Sequence, residues 1–250
     1  MNTLFIKPNW PAPPQVRAYT STRQGGVSQS PFDAFNLAQH VEDQEADVSQ
    51  NRSLLQIHLQ LPNEPIWLTQ VHGTTVLPAT IKNKEKEADA SFSHQSKQVC
   101  AVMTADCLPV LFCHKEGSHV AAAHAGWRGL LNGILEATMH ALALPPEQLL
   151  VWLGPAIGPC HFEVGNEVRD AFIKKDPEAH KAFSPSPNQR WLANLYLLAK
   201  QTLQKQGIQP ASIYGGEYCT YCDPSSFYSY RRDGEKTGRM ASLIWLNDTN

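Results

Sequence analysis

The sequence predicts an α+β fold in which mixed β-sheets are covered by helices. Three observations lead there. Apolar, β-rich runs recur along the chain, other apolar residues recur at helical spacing, and the joints between them include tight hairpin turns as well as longer crossovers. At 250 residues the chain can bury a sizeable core, and it reads as one domain spanning 1–250.

The Pro-rich start, with Pro8, Pro11, Pro13 and Pro14, predicts an extended lead-in. The segment from Tyr19 to Phe35 is rich in Gly, Ser and Thr and predicts a loop. Residues 66–79, IWLTQVHGTTVLPA, read as two short strands around a His-Gly turn. Residues 99–113, VCAVMTADCLPVLFC, predict a buried strand interrupted near Asp106–Pro109. KEGS at 115–118 is a turn, and HVAAAHAG at 119–126 returns as a second strand, which makes a hairpin. Leu131, Ile134, Leu135 and Leu142 sit at helical spacing before the Pro145-Pro146 stop. VWLGPAIGP at 151–159 is a strand running into a Gly/Pro loop. Val164, Val168 and Phe172 predict a second helix. Leu192, Leu195, Ala199 and Leu203 predict a third, with Gly207 as its stop. ASLIWL at 241–246 is the last strand.

Composition excludes several classes of function. With 21 basic and 23 acidic residues the formal net charge is −2, so no basic excess points to nucleic acid. No apolar stretch approaches the ~20 residues of a membrane span, and the start lacks a charged segment followed by a long apolar run. Six cysteines without an export signal are expected to be free thiols or metal ligands rather than disulfides. The expected location is cytoplasmic and reducing.

The hairpin carries the chemistry. Cys107 and His124 flank the KEGS turn almost symmetrically, so antiparallel pairing makes them close or diagonal neighbours, with Cβ atoms within ~8 Å. One metal ion can bridge that separation with Zn–S and Zn–N bonds of ~2.3 and ~2.0 Å. His72 lies at a turn, where a ring can point into a cleft. An N, N, S ligand set leaves a fourth position for water or substrate, the pattern of catalytic zinc. Core packing is nevertheless the commoner fate of a His or Cys in an apolar strand, and spacing does not by itself select His72 from ten histidines.

Five segments carry a resemblance: TQVHGTTV at 69–76, TADCLPVLF at 104–112, AAAHAGWRG at 121–129, GPAIGPCHFEVGNEV at 154–168 and SYRRDGEKTGRMASLIWL at 229–246. Together they make the chain similar to the YfiH family, also called the polyphenol oxidase or laccase-domain-containing family, which includes purine nucleoside phosphorylases. The resemblance runs from STRQGGVS at 21–28 to the end. It implies an α/β sandwich of cysteine-hydrolase type and a Zn²⁺ site of His72, Cys107 and His124, with Cu²⁺ as an alternative ion. The activity implied is phosphorolysis of adenosine, inosine and 5′-methylthioadenosine, plus adenosine deamination through a zinc-activated water. The implied partners are a small-molecule nucleoside and phosphate, with no nucleic acid and no membrane.

Around those ligands, Arg128 follows a run of small residues at a helix start and could meet phosphate or pair with a surface acid. Arg231, Arg232 and Arg239 form a second basic cluster, and Arg23, beside Gly25-Gly26, is a third anion contact or a plain turn residue. Asp106 adjoins Cys107 and is expected to orient another group, while Glu163 could exchange a proton. Tyr228 and Tyr230 could stack on a purine or pack in the core. His161-Phe162-Glu163 with Cys219-Thr220-Tyr221-Cys222 resembles a deaminase signature only loosely: no Pro precedes Cys219 and the gap is long. A structural zinc on Cys219 and Cys222 is an equally weak variant. Two other readings compete with the nucleoside enzyme. One is copper oxidase chemistry, which lacks any His-x-His pair here. The other is a Cys107–His124 hydrolase editing peptidoglycan precursors. A non-catalytic zinc-stabilised module is opposed by the open ligand set.

Overall fold

The computed structural model describes residues 3–248. Its strands and helices, in chain order, are β1 (Phe5–Ile6), β2 (Val16–Ser21), α1 (Glu45–Leu59), β3 (Val76–Pro78), β4 (Ala90–Ser93), β5 (Cys100–Thr104), β6 (Leu108–His114), β7 (Val120–Ala125), α2 (Trp127–Asn132), α3 (Ile134–Leu142), β8 (Leu149–Leu153), β9 (Glu163–Val164), α4 (Asn166–Lys175), β10 (Phe183–Ser186), β11 (Arg190–Ala193), α5 (Leu195–Lys205), β12 (Ile213–Gly215), α6 (Tyr230–Asp233) and β13 (Met240–Leu246).

Three sheets result. A mixed six-stranded sheet runs β12-β8-β6-β7-β4-β3, and an antiparallel four-stranded one runs β1-β2-β13-β5. A small sheet, β10-β11-β9, stands apart from both. The two large sheets pack face to face. Ala18, Val102 and Ile244 of the smaller one meet Leu111, Ala122, Leu150 and Trp152 of the larger. Helices close the outer faces. Ile134, Leu135, Ala199 and Leu203 of α3 and α5 pack on Val110 and Phe112, whereas Leu55 of α1, with Phe35 and Leu37, packs on Met103, Leu243 and Trp245. The architecture is thus a helix–sheet–sheet–helix sandwich, as the α+β reading requires. Every residue of β6, β7 and β13 is buried. A strand covered on both faces reads as an unbroken apolar run, which is why these three stand out in the sequence.

Some expectations fail locally. Tyr19 to Ser21 belong to β2, and the loop begins only afterwards. Before the His-Gly turn there is no strand, only isolated bridges at Ile66 and Thr69. The predicted first helix breaks at Gly133 (φ 107°), which lies between α2 and α3. Val164 and Leu192 belong to strands β9 and β11 rather than to the helices after them. Helix α1 has no counterpart in the expectations. Its apolar face is narrow, with only Val48, Asn51 and Leu55 buried, so its periodicity is faint. The interruption near Asp106 is real, but its meaning differs from a kink: β5 and β6 lie in different sheets, and residues 105–107 carry the chain across.

Candidate metal centre

β6 and β7 pair with Pro109 opposite His124 and Leu108 opposite Ala125. Extending that register places Cys107 diagonal to His124, the second of the two geometries the hairpin allows. His72 enters from the turn before β3. The ligand atoms of His72, Cys107 and His124 all lie within 4.8 Å of one another. Cys107 Sγ is 3.8 Å from His72 Nε2, and the two imidazole centroids are 4.8 Å apart. His124 is buried, Cys107 half-buried and His72 exposed, so the cluster opens to solvent on the His72 side.

Asp89, fully buried beside the start of β4, organises the group. Its carboxylate accepts three successive backbone N–H groups, from Val71 at 3.2 Å, His72 at 2.9 Å and Gly73 at 2.6 Å. This nest of amides holds His72 in a left-handed conformation (φ 59°) that a non-glycine residue rarely adopts. The same carboxylate lies 2.8 Å from His124 Nδ1, which leaves Nε2 to face Cys107. Burial pushes the Asp89 carboxyl up, but the His124 hydrogen bond and charge and the Gly73 and Val71 amides outweigh it and hold it below the usual carboxylate range. Sequence reasoning missed Asp89. An acid set between Ala88 and Ala90 at the head of an apolar strand was the available signal.

Electrostatics couple the thiol to the imidazoles. Burial pushes the Cys107 thiol up, yet the His124 charge and hydrogen bonds from His124 and His72 outweigh it and bring it down to about 6. Burial lowers His124, but the Cys107 charge and the Asp89 hydrogen bond together raise it above the ordinary imidazole range. Thiolate and imidazolium therefore stabilise each other at neutral pH in the metal-free protein. Gly126 makes room for the group. A Cβ there would lie 2.8 Å from His72 Cδ2 and 3.0 Å from Cys107 Sγ, so only glycine leaves the ligands undisturbed. Two nitrogens and one sulfur converging with an open side fit a Zn²⁺ ion, and the same donors also suit Cu²⁺.

The other expected residues divide sharply. Asp106 (φ 90°) is not on an extended strand; its side chain accepts from Thr220 Oγ1 at 2.6 Å and the Arg231 amide at 2.7 Å. It anchors the C-terminal segment to the turn that carries Cys107. Arg239 is half-buried; burial lowers its guanidinium from the usual range, and the charges of Cys107 and Asp106 oppose that shift without cancelling it. Among the described residues Nη1 is the one guanidinium nitrogen of Arg239 that donates within the protein, to the Thr237 and Gly238 carbonyls at 2.6 and 3.0 Å. Arg128 is exposed with its guanidinium 4.5 Å above the Trp127 ring. Arg231 is exposed and donates to the Glu163 carbonyl at 2.9 Å.

Arg232 is different, because all its N–H groups are used, on the carbonyls of Thr220, Tyr221 and Phe227 and on Asp233. Arg23 donates to Asp33 and to the Pro224 carbonyl and lies over the Tyr228 ring. Both arginines tie loops together. Tyr228 is fully buried with its hydroxyl on the Phe32 carbonyl, and Tyr230 is half-exposed. Glu163 accepts from Ser186 and pairs with Arg190. No described helix is long and apolar enough to cross a membrane.

A double-sheet sandwich with an open His, Cys, His cluster at the seam defines a class, and comparison with known proteins gives it a family. Residues 17–247 match the family described as multi-copper polyphenol oxidoreductase laccase, and the chain belongs to it. A Pseudomonas aeruginosa protein named purine nucleoside phosphorylase is 52% identical over 245 residues, which cover 98% of this chain and 99% of that one. The Escherichia coli purine nucleoside phosphorylase YfiH is 52% identical over 243 residues, covering 97% and 98%. A crystal structure of a Neisseria meningitidis protein superposes with a TM-score of 0.94 at 46% identity, covering 98% of this chain and 100% of that chain.

Proposed function

We propose that this chain is a cytoplasmic, single-domain purine nucleoside phosphorylase whose Zn²⁺ is held by His72, Cys107 and His124. The open three-ligand cluster carries the reading, in a chain 52% identical to relatives named for that activity. The substrates would be adenosine, inosine and 5′-methylthioadenosine, with adenosine deamination as a second activity. Phosphorolysis breaks the C1′–N bond, whose electrons leave on the base, and joins a phosphate oxygen to C1′. The base then takes a proton, giving free base and (methylthio)ribose 1-phosphate.

Zn²⁺ bound there would supply a Lewis acid at the open position. The chain's own residues do the rest. Asp89 fixes the tautomer and orientation of His124 and the turn carrying His72. Arg239, with Nε and Nη2 free among the described residues, brings fixed positive charge toward Cys107 and suits a phosphate. Arg128, exposed above Trp127, and Arg231 can add to that charge at the rim.

A second reading has its own observation. Cys107, His124 and Asp89 line up as thiolate, base and orienting acid, the arrangement of a metal-free hydrolase acting on a cell-wall peptide precursor. Copper oxidation of phenols ranks lower, because the sequence has no His-x-His pair from which a multicopper cluster is built.

Chromatography of adenosine incubated with zinc-loaded protein in phosphate buffer tests the proposal, with Cys107→Ala and a chelated sample alongside. Adenine made only by the unmutated, metal-loaded protein is the expected result, and inosine would mark deamination. Absence of turnover overturns the nucleoside reading. Activity that survives chelation on a cell-wall peptide transfers the site to hydrolysis.

A further inference from the structure

We propose a second metal site on this chain: a closed, structural Zn²⁺ centre formed by Cys160, His161, Cys219 and Cys222. The four side chains come from two turns some 60 residues apart in sequence, yet their ligand atoms all lie within 4.8 Å of one another. Cys160 Sγ is 3.4 Å from Cys222 Sγ and 3.9 Å from Cys219 Sγ, while His161 Nδ1 is 3.1 Å from Cys160 Sγ and 3.3 Å from Cys222 Sγ. A tetrahedral ion with bonds of ~2.3 Å to sulfur and ~2.0 Å to nitrogen sets neighbouring ligands about 3.8 and 3.5 Å apart. The four separations above depart from that geometry by only a few tenths of an ångström.

The local backbone is shaped for this. Cys219 and Cys222 have the two-residue spacing that lets one turn present both sulfurs to an ion. Cys160 and His161 are adjacent, and side chains of adjacent residues converge only where the chain bends. Here it does, with the His161 and Phe162 amides both donating to the Gly158 carbonyl at 3.1 Å. The Gly158 amide donates to Cys219 Sγ at 3.2 Å, and a Cβ on Gly158 would sit 3.0 Å from that sulfur. The His161 ring is stacked on Tyr221 at 3.9 Å, which fixes its plane. Three thiolates and one imidazole complete four-fold coordination and leave no place for substrate, so the site is structural, and the thiolate-rich set favours zinc.

The site would fasten the loop after β8 to the loop after β12. Thr220, between the two cysteines, donates its amide to the Ala156 carbonyl at 3.0 Å and its hydroxyl to Asp106 at 2.6 Å. The clip thus supports Asp106 next to Cys107 without joining the open cluster.

Native mass spectrometry of protein purified under reducing conditions, loaded with Zn²⁺ and desalted, tests the assignment. Two ions per chain are expected for the unmutated protein, one for the Cys219→Ser/Cys222→Ser variant and one for Cys107→Ser. The first variant should also melt at least about 5 °C lower. Equal zinc content in the unmutated and Cys219→Ser/Cys222→Ser proteins overturns the proposal. So does a mass two hydrogens short, with a disulfide mapped among these cysteines. Should the double variant fail to fold, Co²⁺ titration of Cys107→Ser decides: sulfur-to-cobalt absorption that grows to one equivalent supports the site, and its absence rejects it. Loss of the Cys107 ion alone would leave this second site standing, so the two assignments fail separately.

Discussion

The two clusters of thiols and imidazoles are built from the same kinds of side chain on different supports. His72, Cys107 and His124 come from a turn, an inter-sheet crossing and a strand, and a buried carboxylate orients the two histidines; among the described residues no carboxylate bonds the side chains of the other four. Cys160, His161, Cys219 and Cys222 sit on surface turns, with Cys160 and Cys222 exposed. On the two proposals, three ligands backed by the sheets would keep one coordination position for chemistry, whereas four ligands on loops would close around an ion. Ligand number and what lies behind the ligands, rather than ligand type, would then separate the two roles.

The largest expected effect attacks that floor. Asp89→Ala leaves three amides and His124 Nδ1 without their buried acceptor, so urea denaturation should show a loss of about 3 kcal/mol or more. The same variant should release the ion of the open cluster, while zinc at the four-ligand cluster persists in native mass spectra. Gly126→Ala is next. Its backbone (φ −60°) accepts alanine, so the harm is confined to the 2.8 and 3.0 Å approaches to His72 and Cys107. Metal affinity measured by competition with a chromophoric chelator should fall at least about tenfold, with only a small change in Tm. Graded chelation should separate the clusters in time: adenosine turnover disappears with the first zinc lost and Tm falls with the second. Simultaneous loss would erase the distinction between an open and a closed centre.

The smallest effect is one of reactivity. In metal-free protein, iodoacetamide should alkylate Cys107 above about pH 6 and lose that preference below it, because the thiolate is the reacting form. Cys222, whose thiol is raised by hydrogen bonds with Cys219 and Cys160, should resist at the same pH. Peptide mapping after a pH series reads both.

Legibility follows range along the chain. The β6–β7 hairpin can be read because its turn is local, and a local turn fixes register, so the diagonal placement of Cys107 and His124 comes with it. Unbroken apolar runs mark the doubly covered strands for a similar reason, since burial on both faces writes itself into consecutive residues. Asp89 is invisible because its four partners lie 16 to 35 residues away and its own neighbours say nothing about them. Cys160 escapes notice beside His161, since adjacent residues share a ligand set only where the chain folds back, and nothing short of the turn at Gly158 shows that it does. The arginines are the least readable. Arg232 and Arg239 stand seven positions apart in a similar setting, yet one is saturated by carbonyls and Asp233 and the other keeps donors free among the described residues.

The crossing at residues 105–107 has a mechanical side. Cys107 rides on the strip of chain that leaves one sheet for the other, whereas His124 belongs to the six-stranded sheet and His72 is lashed beside it through Asp89. An ion gripping all three would resist any sliding of one layer over the other, since shear would stretch the sulfur bond against the two nitrogen bonds. Occupancy at the seam would then be felt as stiffness across the whole sandwich, far from any substrate.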